Sequence, residues 1–113
     1  MEIIQDDYQV LYNSETTTIT CIGTFRLRGP EYAPIVQLMT EVADAKPEQI
    51  TLDLRNLQFL NSSGINTLSK FVIQVRRHGV SHLLVRGSNE HPWQRKSLIN
   101  FQRLKSDLEL ELE

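Results

Sequence analysis

The sequence predicts an α/β fold: a single domain with a mixed four- to five-stranded β-sheet flanked by about three helices. Two runs rich in β-branched and aromatic residues, 8–12 and 16–28, open the chain. Amphipathic helical patterns then alternate with short apolar runs. The order is ββ followed three times by αβ, and helix-linked strands imply a parallel portion of sheet with right-handed crossovers. The length, 113 residues, suits one domain with one core.

Each element has its own signal. Met1 to Asp7 reads as a frayed end or a first strand. "YQVLY" at 8–12 and "TTTITCIGTFRLR" at 16–28 are strands, and the Asn13-Ser14-Glu15 break makes them a hairpin. Gly29-Pro30 stops the second strand. Tyr32, Ile35, Val36, Leu38, Met39, Val42 and Ala43 then share one helical face, with Gln37, Thr40, Glu41 and Asp44 on the other. The prolines of this helix sit in its first turn, where no N–H is missed. Lys46-Pro47 ends it. "QITLDL" at 49–54 is a short buried strand. Residues 64–77 form a second helix, stopped by Gly79, and "SHLLVRG" at 81–87 is the next strand. After the loop Asn89 to Pro92, residues 93–105 read as a third helix with Trp93, Leu98, Phe101 and Leu104 inward. "DLELELE" alternates strictly and reads as a last edge strand or a disordered acidic tail.

Composition narrows the function classes. Apolar residues make up 40% and charged residues 23%, ordinary for a soluble globular protein. The net charge of −2 argues against general nucleic-acid or anionic-membrane binding. The lone Cys21 cannot form an internal disulfide and reads as a small buried apolar residue in a reducing compartment. No signal-peptide pattern opens the chain and no run approaches a membrane span, so the expected location is cytoplasmic.

Catalytic patterns are missing. There is no Gly-rich phosphate loop. Ser63 is not in a G-x-S-x-G elbow, because position 61 is Asn. His78, His82 and His91 lack metal-ligand spacing, and Asp44 and Asp53 are no evident catalytic pair. No cofactor or metal is expected, and an enzyme using Ser63 as nucleophile has no base nearby in sequence. Arg95, Lys96, Arg103 and Lys105 read as a solvated face or a secondary contact for an acidic partner.

The informative stretch is "FLNSSGI", residues 59–65, at a strand-to-helix join. Its plain reading is structural: Asn and Ser cap helices, and Gly64 relieves crowding at the turn. A second reading comes from the helix itself. Ile65, Leu68, Phe71, Val72 and Val75 form its core stripe. Ser63, Asn66, Thr67, Lys70 and Gln74 line the opposite side, with the apolar Ile73 beside them. Ser63 thus begins an exposed row suited to docking. A phosphate on Ser63, adding about −1.5 to −2 charge, would be tolerated by the helix N-terminus and would exclude a partner packed on that spot.

The stretch "ITLDLRNLQFLNSSGINTLSKFVIQVRRHG" resembles the signature of STAS domains, the anti-sigma-factor antagonist family. Asp53 matches the Asp near the strand end and Phe59-Leu60 the apolar pair. Ser62-Ser63-Gly64 matches the core motif and Gly79 the glycine before the next strand. The resemblance is good over 49–105 and weaker before, where "GTFRLRGPEYAP" is an unusual strand-to-helix connection. It implies that residues 1–113 are a single STAS-like domain of a mostly bacterial regulatory family. It also implies a protein partner, a GHKL-type Ser/Thr kinase or anti-sigma factor, with any ATP held by that kinase. The kinase phosphorylates the serine directly before the motif glycine, here Ser63 with Ser62 as the lesser candidate, and a PPM-type phosphatase reverses it. The partner-binding residues so implied are Asn61, Ser62, Ser63, Gly64, Asn66, Thr67, Lys70, Ile73 and Gln74. One departure stands out: the family's Asp is Asn61. If the Asp orients or activates the hydroxyl, its loss weakens phosphorylation; if it caps the helix, Asn serves equally. The alternative reading is therefore an interaction or small-ligand-binding module with no phosphorylation.

Overall fold

The computed structural model describes residues 1–113. Its strands are β1 (Glu2–Ile4), β2 (Tyr8–Asn13), β3 (Thr18–Phe25), β4 (Gln49–Leu60), β5 (His82–Gly87) and β6 (Glu109–Leu112). Its helices are α1 (Ala33–Asp44), α2 (Ser62–His78), α3 (Pro92–Ser97) and α4 (Phe101–Leu104), with a 3₁₀ turn before α1 and another between α3 and α4. The six strands form one sheet in chain order, antiparallel through β1-β2-β3 and parallel through β3-β4-β5-β6.

The mixed sheet and the three αβ units are those expected, but three strands rather than two precede the first helix, and the sheet has six strands rather than four or five. Both ends of the chain pair: Glu2–Ile4 lies against β2, and the strictly alternating tail lies against β5. Parallel neighbours laid side by side in chain order, joined by crossovers of one hand, gather the helices on one face. Ile19 and Cys21 of β3, Ile50, Leu52 and Leu54 of β4, and Leu83 and Val85 of β5 point into that layer and are fully buried. Thr20, Thr51, Leu84 and Arg86 alternate onto the other, open face. Burial pushes the Cys21 thiol up to about 12, so it is an unreactive core side chain, as its setting in the sequence suggested.

Three elements depart from the expected bounds. β3, expected over 16–28, is confined to Thr18–Phe25. β4 runs to Leu60, six residues beyond "QITLDL". Its pairing with β5 stops at Asp53–Arg86, while its pairing with β3 continues to Leu60 through two bulges that place an extra residue on β4 each time. The unpaired side of the extension is satisfied by side chains. The Gln94 amide donates to the Leu54 and Leu57 carbonyls at 2.6 and 3.0 Å, and the Trp93 indole N–H donates to Leu57 O at 3.1 Å. Gln94, wholly buried, also accepts from the Ser88 amide at 2.7 Å. The expected single helix 93–105 is instead α3, the 3₁₀ turn at Leu98–Asn100, and α4. Leu98 and Phe101 are still buried, with Trp93 and Leu104 packed against the core.

Candidate functional site

The site begins where β4 hands over to α2. The bulge after Leu57 changes the inward-outward alternation, so Leu57 and Leu60 are buried while Phe59 between them is 40% exposed. The Arg26 guanidinium lies over the Phe59 ring, 4.8 Å from its centroid, a cation–π contact. Asn61 follows as the α2 N-cap in extended conformation. Its Oδ1 accepts from the Gly64 amide at 2.8 Å and from the Tyr32 hydroxyl at 2.7 Å. Its Nδ2 donates to the Leu27 carbonyl at 2.8 Å. The side chain thus caps α2 and ties it to the connection between β3 and α1. A carboxylate could take the first two roles but has no hydrogen to give Leu27.

Gly64 is required by close approach. A Cβ there would lie 2.8 Å from the Tyr32 hydroxyl and would overlap the Leu60 side chain. Gly64, expected among the partner-binding residues, is buried in the turn. The serines also differ from expectation. Ser62 is exposed and Ser63 half-buried. The most exposed line down α2 is Ser62, Asn66, Lys70, Ile73 and Arg77 at helical spacing. Ser63 heads the adjacent row that turns toward α1. In that row Thr67 is buried rather than exposed, and its hydroxyl donates to Ser63 O at 2.9 Å. Gln74 reaches across to the Thr40 hydroxyl at 3.2 Å. Asn66, Lys70 and Ile73 thus stay on the exposed row, while Ser62 and Arg77 take the places expected of Ser63, Thr67 and Gln74, a turn of about 50° around the helix.

Val36 of α1, expected to face the core, is 39% exposed. It faces a cleft between α1 and α2 of about 360 Å³, lined also by Met39, Thr67, Lys70, Phe71, Ile73, Gln74 and Arg77. The sequence signal for this cleft was the unforced apolar Ile73; Val36 and Arg77 were missed because the crossing of the two helices decides which flank stays open.

At the first turn of α2 the amides of Ser62 and Ser63 have no intrahelical acceptor. Beyond the turn, Arg76 donates to Leu104 O at 2.8 Å, and Gly79 closes the helix in the left-handed region at φ 70°. No group of three or more His, Cys, Asp or Glu side chains is placed to hold a metal ion. His78 pairs with Asp44 at 2.8 Å and His82 with Glu109 at 2.9 Å. No helix is long and apolar enough to cross a membrane.

Compared with known proteins, the chain matches the family model described as STAS domain over residues 14–104. No curated protein sequence matches it. Among solved structures it is similar to a chain of the complex of the diguanylate cyclase SiaD with its activator SiaC from Pseudomonas aeruginosa. The TM-score there is 0.74 at 13% identity, covering 100% of this chain and 99% of that one. Apo-SiaC from the same organism gives 0.62 at 12% identity, covering 97% and 93%. The phosphorylated form of the Bacillus cell fate determinant SpoIIAA gives 0.59 at 16% identity, covering 94% and 92%. At these identities the likeness is one of fold.

Proposed function

The chain belongs to the STAS-domain family, and from that premise we propose that it is a partner-switching regulator. In this reading the unmodified protein binds a GHKL-type serine kinase or an anti-sigma factor, and so frees that protein's other client. The kinase transfers the γ-phosphoryl group of its own ATP to the Ser63 hydroxyl, releasing ADP, and a PPM-type phosphatase removes it. Bound partner covers the start of α2 and its exposed stripe; phosphate at Ser63 excludes it. The protein itself is read as a regulator rather than a catalyst.

The observation that carries the reading is the presentation of Ser62-Ser63-Gly64 on a rigid support. Asn61 locks the turn through three hydrogen bonds, and the serines sit beside first-turn amides that favour a phosphate. Asn61 supports the capping role for this position. Ser62 is the more exposed hydroxyl and is the competing acceptor. A second reading is favoured by the full-length likeness to a chain of the SiaD–SiaC complex: the partner is a client enzyme that this chain activates, in the way that SiaC is the activator of the cyclase SiaD.

The test is a pull-down from native cell extract with wild type and Ser63→Asp, with retained proteins identified and the bound chain mapped for phosphopeptides. The expected result is a GHKL-type kinase or anti-sigma factor held by wild type and lost from Ser63→Asp, with phosphate on Ser63. A partner held equally by both, with neither serine modified, overturns the switch and leaves an interaction module. A nucleotide cyclase in place of the kinase selects the second reading.

A further inference from the structure

The cleft between α1 and α2 has features that the motif does not explain. Its floor is Met39 and Phe71, both buried, and its rims carry the exposed Val36 and the half-buried Ile73. Its charged lining residues, Lys70 and Arg77, are both cationic, and no acid lines it. Neither cation has an ion-pair partner among the chain's salt bridges, although the nearby Asp44 is engaged by His78 at 2.8 Å. Glu41 of α1 lines a different cleft, with Pro34 and Gln37. Of the polar lining residues, Gln74 donates from its amide nitrogen to Thr40 and Thr67 donates to Ser63 O, and the chain's one buried side-chain polar atom without a hydrogen bond, Arg86 Nε, lies elsewhere. The floor itself, Met39 and Phe71, carries no side-chain hydrogen-bonding group to direct a small polar ligand. What the cleft offers is apolar contact between two helices with positive charge on one rim.

From this we infer that the partner presents an amphipathic α-helix whose apolar stripe seats between α1 and α2 and whose acidic flank meets Lys70 and Arg77. Lys70 and Arg77 are seven residues apart, about 10 Å along α2 at 1.5 Å per residue. A helix lying along α2 meets both with acids about seven positions apart, bracketing apolar residues at i+3 or i+4 that rest on Val36 and Ile73. The inference rests on the reading of this chain as a partner-binding regulator and adds the chemistry of what it binds. It also explains why a surface helix keeps an unpaired cationic edge beside exposed apolar residues: opposite charge steers the encounter, and the apolar stripe holds the complex.

The test is photo-crosslinking from the full chain in native extract, with p-benzoyl-phenylalanine placed at position 73 in one sample and at position 59, outside the cleft, in another. The Ile73 probe is expected to mark a partner segment of helical periodicity with two acids about seven residues apart. Lys70→Glu combined with Arg77→Glu, assayed through the position 59 probe so that the cleft is otherwise unaltered, should lower capture about tenfold. Acid-to-lysine changes in the marked segment should restore it. Both cations are exposed, but Arg77 sits in the last turn of α2, where an anion opposes the helix dipole, so the double variant should melt a few degrees below wild type and stay folded at the assay temperature. Crosslinks from position 59 alone, with capture untouched by the charge reversal, overturn the inference and leave the partner-binding reading intact. A marked segment without acids, or one belonging to a second copy of this chain, also overturns it. No crosslink from either position overturns both.

Discussion

Asn61 shows how much one atom can settle. As cap alone it would be interchangeable with Asp, and the strand-to-helix join made the cap legible in the sequence. Its other partners, Tyr32 and Leu27, lie 29 and 34 residues away, and no local pattern announces them. Asn61→Asp keeps the cap and the tyrosine bond but sets a carboxylate against the Leu27 carbonyl. Lost donation outweighs the gain of a negative charge at the helix N-terminus, about 0.5 kcal/mol, so the variant should be less stable by about 1 kcal/mol, read from urea unfolding at neutral pH. A more stable Asn61→Asp would show that the Leu27 bond contributes nothing. Gly64→Ala is the harsher change. The added methyl meets Tyr32 and Leu60 in a packed turn and should cost about 2 kcal/mol. Glycine at that turn was readable from sequence; the tyrosine that makes it obligatory was not.

At the scale of elements, the sequence signals held wherever periodicity was long and unbroken. α1, α2 and β5 appear within a residue or two of their expected bounds. β4 was cut short because "RNLQFL" breaks strict alternation, and bulges are what break it. Its exposed carbonyls depend on Gln94, a polar residue buried as completely as any in the core; a helical wheel places it without showing that it faces a strand end. Gln94→Leu fills similar volume and removes three hydrogen bonds at once, leaving Leu54 O and the Ser88 amide unsatisfied. It should destabilise the domain by about 3 kcal/mol. Trp93, the only tryptophan, donates to the same Leu57 carbonyl. Its fluorescence should therefore shift in the native state of Gln94→Leu as well as along the denaturation curve. Unchanged stability would mean that water replaces the Gln94 amide at no cost.

Across the whole molecule, the parallel strands are tied together on the open face by charge. Asp53 on β4 accepts from Arg55 Nε and Nη2 at 3.0 and 2.8 Å. Arg55 and Arg86 of β5 both reach Glu113, at 3.4 and 2.7 Å, just past β6. Sequence shows these charges at alternating positions but not that the sheet sets them side by side, since the pairing of the C-terminal tail was open. Burial pushes the Asp53 carboxyl up, and the Arg55 guanidinium outweighs it and holds the group below the usual carboxylate range. A carboxyl depressed in the folded state adds stability that is complete above its unfolded pKa, about 3.9, and is lost as pH falls through the folded value. Wild type should therefore lose stability as the pH drops below about 4. In Arg55→Met the guanidinium is gone, and the desolvated Asp53 keeps only the backbone amide of residue 55, which donates to its Oδ1 at 3.1 Å, and the more distant Arg86 to favour its charge. That variant should be weaker than wild type by about 2 kcal/mol at pH 7. The gap should narrow on acidification, because protonating Asp53 relieves the variant while it costs the wild type. Urea unfolding of both proteins at pH 7 and pH 3 measures the two gaps directly. A gap that stays constant between them would mean that Arg55 acts by packing over the open face, and that the charge on Asp53 contributes nothing to holding β4, β5 and the chain end together.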